Sequence, residues 1–382
     1  MNDYPIISWN EAGEEKSARW RSESGTPPPK RVVIADDRMT ADTAYRLACE
    51  GTALLWRGDF QNARQLLQAM ARRADEKPRE HKRKKIATTP AEAFHLHRQA
   101  QSQRARTLGM LLLPFNADHS IPLCRAPDVR PACTEAYGTC TEPYIASLRG
   151  LHGLIGAYEW RKNGVEVPAL GARIHPHYGV FAPIRSEYVG LVAEAPLPEL
   201  VETQSAAFDI GTGTGVLAAV LARRGIKRIV ATDQDLRALN CARENLTRLG
   251  LITQVDLVQA DLFPEGRASL VVCNPPWVPA RPSSPLEHAV FDPESRMLLG
   301  FLNGLAAHLA PGGEGWLILS DLAEHLGLRT RAGLLAAIDA AGLQVLGKLD
   351  VKPHHPRVSD TSDPLHAARA AELTSLWRLM AK

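Results

Sequence analysis

The rhythm of apolar and polar positions changes part-way along this 382-residue chain. In the first part the spacing is helical. Phe60, Ala63, Leu66, Leu67, Met70 and Ala74 recur at three- and four-residue intervals behind a Gly58-Asp59 break that supplies an N-cap. The same reading places helices over Thr43–Trp56, from Ala91 to about Leu112 behind Thr89-Pro90, and over Glu142–Ala157 behind Thr141. Residues 1–30 read as a flexible arm ending in Thr26-Pro27-Pro28-Pro29, and residues 114–141, rich in proline and cysteine, as irregular chain. The expectation is a mainly helical, substrate-selecting domain over residues 31–155.

Lys162-Asn163-Gly164-Val165 then reads as a hairpin turn, because Asn-Gly accepts the positive φ of tight turns. From Ala206 short apolar runs alternate with helical patterns. Strands are predicted at Ala206–Ile210, Arg228–Thr232, Val255–Gln259, Leu270–Cys273, Trp316–Leu319, Val345–Val351 and Thr374–Met380. Helices are predicted between them at Val216–Arg224, Leu236–Leu249, Leu298–Leu309 and Arg331–Ala341. Such alternation gives an α/β fold over residues 156–382, a doubly wound, mostly parallel seven-stranded sheet closed by an antiparallel strand.

Composition adds limits. Hydrophobic residues at 45% and charged residues at 23% suit a soluble globular protein. No apolar run is long enough to span a membrane, and Met1–Lys30 lacks the apolar core of a secretory signal. Six cysteines without a C-x-x-C pair point to a reducing, cytoplasmic setting. No metal is expected: Cys124, Cys133 and Cys140, His175 and His177, and His354 and His355 lack chelating spacing. Arg72–Arg106 holds 11 Lys and Arg against 4 Asp and Glu, a net of +7, so the rest carries +3 − 7 = −4. A basic run of this kind is either a phosphate contact, which would make RNA a partner, or a solvated surface.

Four motifs carry chemistry. Asp209-Ile210-Gly211-Thr212-Gly213-Thr214-Gly215 joins a strand to a helix, where glycines let a ligand approach the backbone. Nicotinamide dehydrogenases place a similar loop there. Asp233 ends the next strand, where a carboxylate accepts both hydroxyls of a ribose. Asp261 follows the third strand and can accept an adenine amino group, with Leu262 or Phe263 packing on the ring. Asn274-Pro275-Pro276-Trp277 follows Leu270–Cys273 and decides among the classes. The prolines fix the direction of the Pro275 carbonyl, beside the Asn274 side-chain oxygen. Two fixed acceptors take both hydrogens of one NH2 group and turn its delocalised lone pair toward a methyl donor. Trp277 offers a flat face for stacking a planar amide or base. Asp292 and Arg296 follow in a loop where substrate would enter.

The order of these motifs resembles the class I S-adenosylmethionine-dependent methyltransferases of the N-methylating kind, and most of all the HemK-like group, over about Gly156 to Lys382. That resemblance implies S-adenosyl-L-methionine as cofactor. Asp209, Gly211, Thr212, Gly213 and Gly215 would line its loop, Asp233 would hold the ribose, and Asp261 and Leu262 the adenine. Asn274, Pro275, Pro276 and Trp277 would position the target nitrogen. The segment Val180-Phe181-Ala182-Pro183-Ile184-Arg185-Ser186-Glu187 resembles the group's proline-arginine-glutamate stretch with the arginine displaced by one, and N-P-P-W stands where N-P-P-Y is usual. The implied function is methyl transfer to a planar nitrogen of a macromolecule, a nucleic-acid base amine or a protein glutamine. A small-molecule N-methyltransferase is the alternative. A binding module without catalysis and a nicotinamide dehydrogenase are the readings from other classes.

Overall fold

The computed structural model describes residues 5–22, 24–76, 87–199, 201, 206–282, 287, 289–354 and 360–382. The chain divides into two compact units, Met1–Ile86 with His95–Glu159, and Ala87–Phe94 with Trp160–Lys382.

The second unit holds the seven-stranded sheet. In chain order its strands are β9 (Ala206–Ile210), β10 (Arg228–Asp233), β11 (Val255–Gln259), β12 (Ala268–Cys273), β13 (Leu309–Ser320), β14 (Leu343–Val351) and β15 (Thr374–Ala381). They lie in the order β11-β10-β9-β12-β13-β15-β14, with β15 antiparallel to both its neighbours and the others parallel. This is the doubly wound, mostly parallel α/β sheet expected from the sequence. Parallel strands are covered on both faces, which is why β12 is apolar or small at every position and wholly buried.

Alternate residues serve opposite faces. Ala207, Leu270, Val272, Trp316, Ile318 and Leu376 join one core cluster, while Phe208, Ile210, Val271, Cys273, Leu317 and Trp377 join another. The first face is closed by α6 (Glu187–Glu194), α7 (Val216–Arg223) and α8 (Leu236–Arg248), and the second by α9 (Arg296–His308) and α11 (Arg331–Ala340). Among the described residues, α10 (Leu322–His325) follows β13 and α12 (His366–Ala371) precedes β15. Helix α7 is buried from Val216 through Ala222, as a helix apolar all round must be.

The first unit departs from the mainly helical expectation. It has helices α1 (Ala41–Cys49), α2 (Phe60–Asp75), most of α3 (Pro90–Leu108), α4 (Arg130–Tyr137) and most of α5 (Leu148–Asn163). They accompany a six-stranded sheet built from β1 (Ile6–Glu11), β2 (Glu14–Arg21), β3 (Arg31–Ala35), β4 (Thr52–Trp56), β5 (Leu111–Phe115) and β6 (Tyr144–Ser147), in the order β1-β2-β6-β5-β4-β3. Three expected helices therefore end early or begin late. Thr52–Trp56 and Leu111–Phe115 are five-residue runs buried at every position, and Tyr144–Ser147 is buried at three of four. Short apolar runs carry no period of their own, so they merge into an adjacent helical pattern.

Residues 1–30 are not an arm throughout. Ile6–Glu11 and Glu14–Arg21 form a hairpin that buries Ile7, Trp9 and Trp20. The stretch 114–141 contains α4. Asn163-Gly164 ends α5 rather than turning a hairpin: Gly164 has φ +70° and its N–H donates to the Trp160 carbonyl. The hairpin comes later, where β7 (Val165–Val167) pairs with β8 (Ala172–Ile174) around Gly171. Pro311-Gly312-Gly313 lies inside β13, which begins at Leu309 rather than at the expected Trp316.

Candidate functional site

The carboxyl ends of β9, β10, β11 and β12 carry the residues singled out above, where an open α/β sheet binds ligands. Gly211, Gly213 and Gly215 have φ of +73°, +54° and +80°, in the left-handed region that glycine enters without strain. A Cβ at Gly215 would sit 3.1 Å from the Ala242 Cα, and one at Gly211 would sit 2.6 Å from the Met297 Cε, whereas one at Gly213 would meet nothing within 4 Å. Gly215 is therefore pressed against backbone, Gly211 faces only the movable end of the Met297 side chain, and the middle glycine leaves the backbone open.

Asp209 is 1% exposed. Its Oδ2 accepts from the Thr212 hydroxyl at 2.7 Å and the Ala218 N–H at 3.0 Å, while Oδ1 is buried with no partner among the described residues. Burial pushes its carboxyl up to about 6, against the pull of the Thr212 and Ala218 hydrogen bonds. Asp233 Oδ2 accepts from the Gly213 N–H at 3.0 Å and Oδ1 from the Asp235 N–H at 3.0 Å. Burial raises this carboxyl as well. The helix that follows is capped by Asp235, which accepts from the Arg237 N–H, so Asp233 is free of that task.

Asp261 is exposed, and its Oδ2 accepts from Arg296 Nη2 at 2.6 Å. Leu262 has φ +78°, a strained setting for a branched residue, and its carbonyl accepts from the Thr232 hydroxyl at 2.5 Å. Phe263 is committed to the core, stacked on Phe301 at 5.8 Å and on His308 at 4.3 Å. Leu262 packs against the same core cluster, with its Cδ1 beside Gly300.

At the end of β12, Asn274 is half-buried and Pro275 buried. Cys273 pairs with Ile210 across the β9–β12 ladder, so Asn274 and Gly211 leave the sheet side by side. The Trp277 Nε1–H donates to Asn274 Oδ1 at 2.8 Å. Trp277 also packs against both faces' core clusters and against a third cluster of Phe94, Val278, Leu326 and Leu365. Its ring meets Tyr188 edge to face at 6.4 Å.

Asp292 is no surface residue: it is 6% exposed and caps α9, accepting from the Met297 N–H at 2.9 Å and the Leu298 N–H at 3.2 Å. Sequence reasoning missed three side chains near these strand ends. Met297 lies against Gly211. Arg329, whose guanidinium burial lowers from its ordinary value, donates to the Trp277 and Ser320 carbonyls. Arg185, named only within a resemblance, pairs with the buried Glu372, which also accepts from the Ser320 hydroxyl at 2.6 Å. No local pattern signals a partner 187 residues away.

Elsewhere, His175 Nδ1 lies 2.6 Å from the Arg161 carbonyl and His177 faces Glu244 at 3.0 Å. Among the described residues no three His, Cys, Asp or Glu side chains form a group that could hold a metal, and no helix is long and apolar enough to cross a membrane. The centre of the basic run, residues 77–86, lies outside the described residues, as does His355. At its ends Arg73 pairs with Asp42 and Arg104 with Asp75.

Residues 172–330 match the methyltransferase small domain family. A release factor glutamine methyltransferase of Cereibacter sphaeroides is 34% identical over 181 residues, covering 44% of this chain and 62% of that protein. A ribosomal protein L11 methyltransferase of Pelotomaculum thermopropionicum is 39% identical over 152 residues, covering 39% of this chain and 41% of the other. The chain thus spans less than two thirds of the length of these curated relatives. A solved methyltransferase from Pyrococcus furiosus aligns with 60% of this chain and 98% of its own, at 20% identity and a TM-score of 0.39. Residues 172–330, the part of the chain similar to that family, carry β9 to β13 of the seven-stranded sheet.

Proposed function

We propose that this chain is an S-adenosylmethionine-dependent N-methyltransferase whose acceptor is a planar nitrogen of a protein side chain. The observation that carries this is the register of β9 and β12, which sets Asn274 beside Gly211. An amide-orienting pair of acceptors, Asn274 Oδ1 and the Pro275 carbonyl, thereby stands next to a glycine loop with open backbone at Gly213.

The residues present fit the cofactor. The buried Asp209 Oδ1 lacks a partner, and a cationic amino group is what such an oxygen accepts. Asp233 uses one lone pair on each oxygen for backbone N–H groups and keeps others for two ribose hydroxyls. Asp261 and Leu262 would border the adenine, and Thr212 fixes the loop through its bond to Asp209. The bound cofactor supplies an electrophilic methyl group. The chain's own residues then hold the acceptor NH2 by both hydrogens and exclude water, with Pro276 stiffening the turn. No proton donor is required, because the sulfonium charge passes to the acceptor nitrogen with the methyl group and leaves when that nitrogen gives up one of its two hydrogens as a proton.

A protein acceptor is favoured over RNA by the relatives, whose names specify a release factor glutamine and a ribosomal protein. The basic stretch argues less, since Arg73 and Arg104 already have carboxylate partners. The test is transfer of tritium-labelled methyl from S-adenosylmethionine into a cell extract, separated into protein, RNA and small molecules. Label in a protein band, released as a methylated side-chain nitrogen, is the expected result. Label in RNA would replace the acceptor with a base amine, label in small molecules alone would replace it with a small-molecule nitrogen, and no transfer would remove the activity.

A further inference from the structure

The Asn274 carboxamide poses an orientation problem that Trp277 resolves. A carboxamide presents an acceptor oxygen and a donor NH2 of nearly equal size, so two flips fit the same space. One flip offers an acceptor to the target nitrogen. The other offers N–H groups to N–H groups, which repel. The backbone of Asn274-Pro275-Pro276 fixes where the side chain starts but not which flip it takes.

We propose that the Trp277 indole is a positioning residue that locks the productive flip of Asn274, a reading that rests on the function proposed above. The indole Nε1–H is a donor and nothing else. At 2.8 Å from Asn274 Oδ1 it pairs only with the oxygen. Were the carboxamide flipped, two donors would face each other and the half-buried indole N–H would lose its partner. The loss of such a bond corresponds to about a fivefold to hundredfold preference for one flip. The carbonyl oxygen has two lone pairs, so one remains for the acceptor's N–H.

The indole is itself held firmly enough to act as a reference. Three core clusters pack against it, Tyr188 meets its ring edge to face, and Arg329 Nη1 lies 3.5 Å from its backbone carbonyl. Its role is therefore to aim Asn274, and the flat-face stacking expected from the sequence is a separate property that this bond does not need.

The experiment uses the full chain with tritium-labelled S-adenosylmethionine and whole-cell extract as the acceptor source. Trp277→Phe keeps an aromatic ring and removes the N–H. It should lower kcat by about twofold, because the productive flip falls from nearly all of the population to about half, while KM for S-adenosylmethionine is unchanged. In an Asn274→Asp background both side-chain oxygens are acceptors and no flip exists, so adding Trp277→Phe should cost nothing measurable. Equal losses in both backgrounds, or no loss in the first, would overturn the proposal. A readout independent of turnover is the 15N-indole spectrum. The Trp277 Nε1–H signal should shift and exchange faster with solvent in Asn274→Ala, and an unmoved, still protected signal would contradict the lock. Failure of the wild-type protein to transfer methyl at all would instead remove the activity on which the proposal rests, leaving the spectrum to report the bond alone.

Discussion

The two sheets of this chain end their parallel strands differently. In the first unit β3, β4 and β5 run parallel, and their carboxyl ends are filled by polar groups that satisfy one another. Asp37 accepts from the Asp59 N–H and from Asn62 Nδ2, Arg57 pairs with Glu11, and Asn116 reaches Ser120. In the second unit the corresponding ends leave Asp209 Oδ1 without a partner and the Gly213 backbone open. One glycine from each makes the contrast concrete. A Cβ at Gly58 would lie 2.7 Å from Asp37 Cγ and 2.8 Å from its backbone nitrogen, while a Cβ at Gly213 would meet nothing within 4 Å. A similar parallel βα arrangement thus yields a closed strand end in one place and a receptive one in the other. The difference is made by which polar groups remain unspent.

The largest effect that would sharpen this contrast is electrostatic. Arg57 beside Glu11 holds that carboxyl down to about 2, whereas burial pushes Asp209 up to about 6. The signs are opposite. Glu11 contributes stability that is present above its unfolded value and lost as pH falls toward 2. Asp209 keeps its proton in the folded chain between about 4 and 6, where the unfolded chain has lost it. Stability therefore falls as pH rises through that window, by up to about 3 kcal/mol. Asp209→Asn should make this fall smaller in the unfolding free energy between pH 4 and 7 by urea denaturation, leaving the share of Asp233, which burial also raises. A wild-type profile without the fall would contradict the buried, unpaired carboxylate.

Next come the glycines. Gly58→Ala should lower stability by about 2 kcal/mol through overpacking, with S-adenosylmethionine affinity unchanged. Gly213→Ala should do the reverse in emphasis: about 1–2 kcal/mol of left-handed strain, and a loss of cofactor affinity of more than about tenfold, since the new methyl enters the open space. Thermal unfolding and calorimetric titration on the same two proteins separate the effects. Equal affinity losses would mean that the two strand ends do not differ in kind. The smallest effect is that of Asp233→Ala, which should weaken S-adenosylmethionine by about tenfold, as the loss of charged hydrogen bonds to hydroxyls implies. Unchanged affinity would remove the ribose role.

Legibility follows the same division. The second unit was readable because its strands, glycine loop and N-P-P-W are contiguous, each bounded by a turn residue: Ala206–Ile210 and Val255–Gln259 fall where the pattern places them. In the first unit β4 and β5 are apolar runs without period, hidden inside adjoining helix patterns. Strand β2 is mostly exposed and polar, burying only Trp20 and Arg21 at its end, so alternation could not reveal it. At the site, the residues that touch their own loop were legible. Those that act across the fold were not: Met297 against Gly211, Arg329 against the Trp277 carbonyl, and Glu372 against Arg185 are contacts between distant segments.

The central claim is that Asn274 orients an acceptor nitrogen beside a cofactor held by other residues. The most direct test measures methyl transfer and S-adenosylmethionine affinity on one preparation each of the wild-type protein and Asn274→Ala. Turnover should be lower by about 10²–10³ in the variant with cofactor affinity unchanged. Turnover that survives the substitution, or turnover and affinity that fall together, would contradict it.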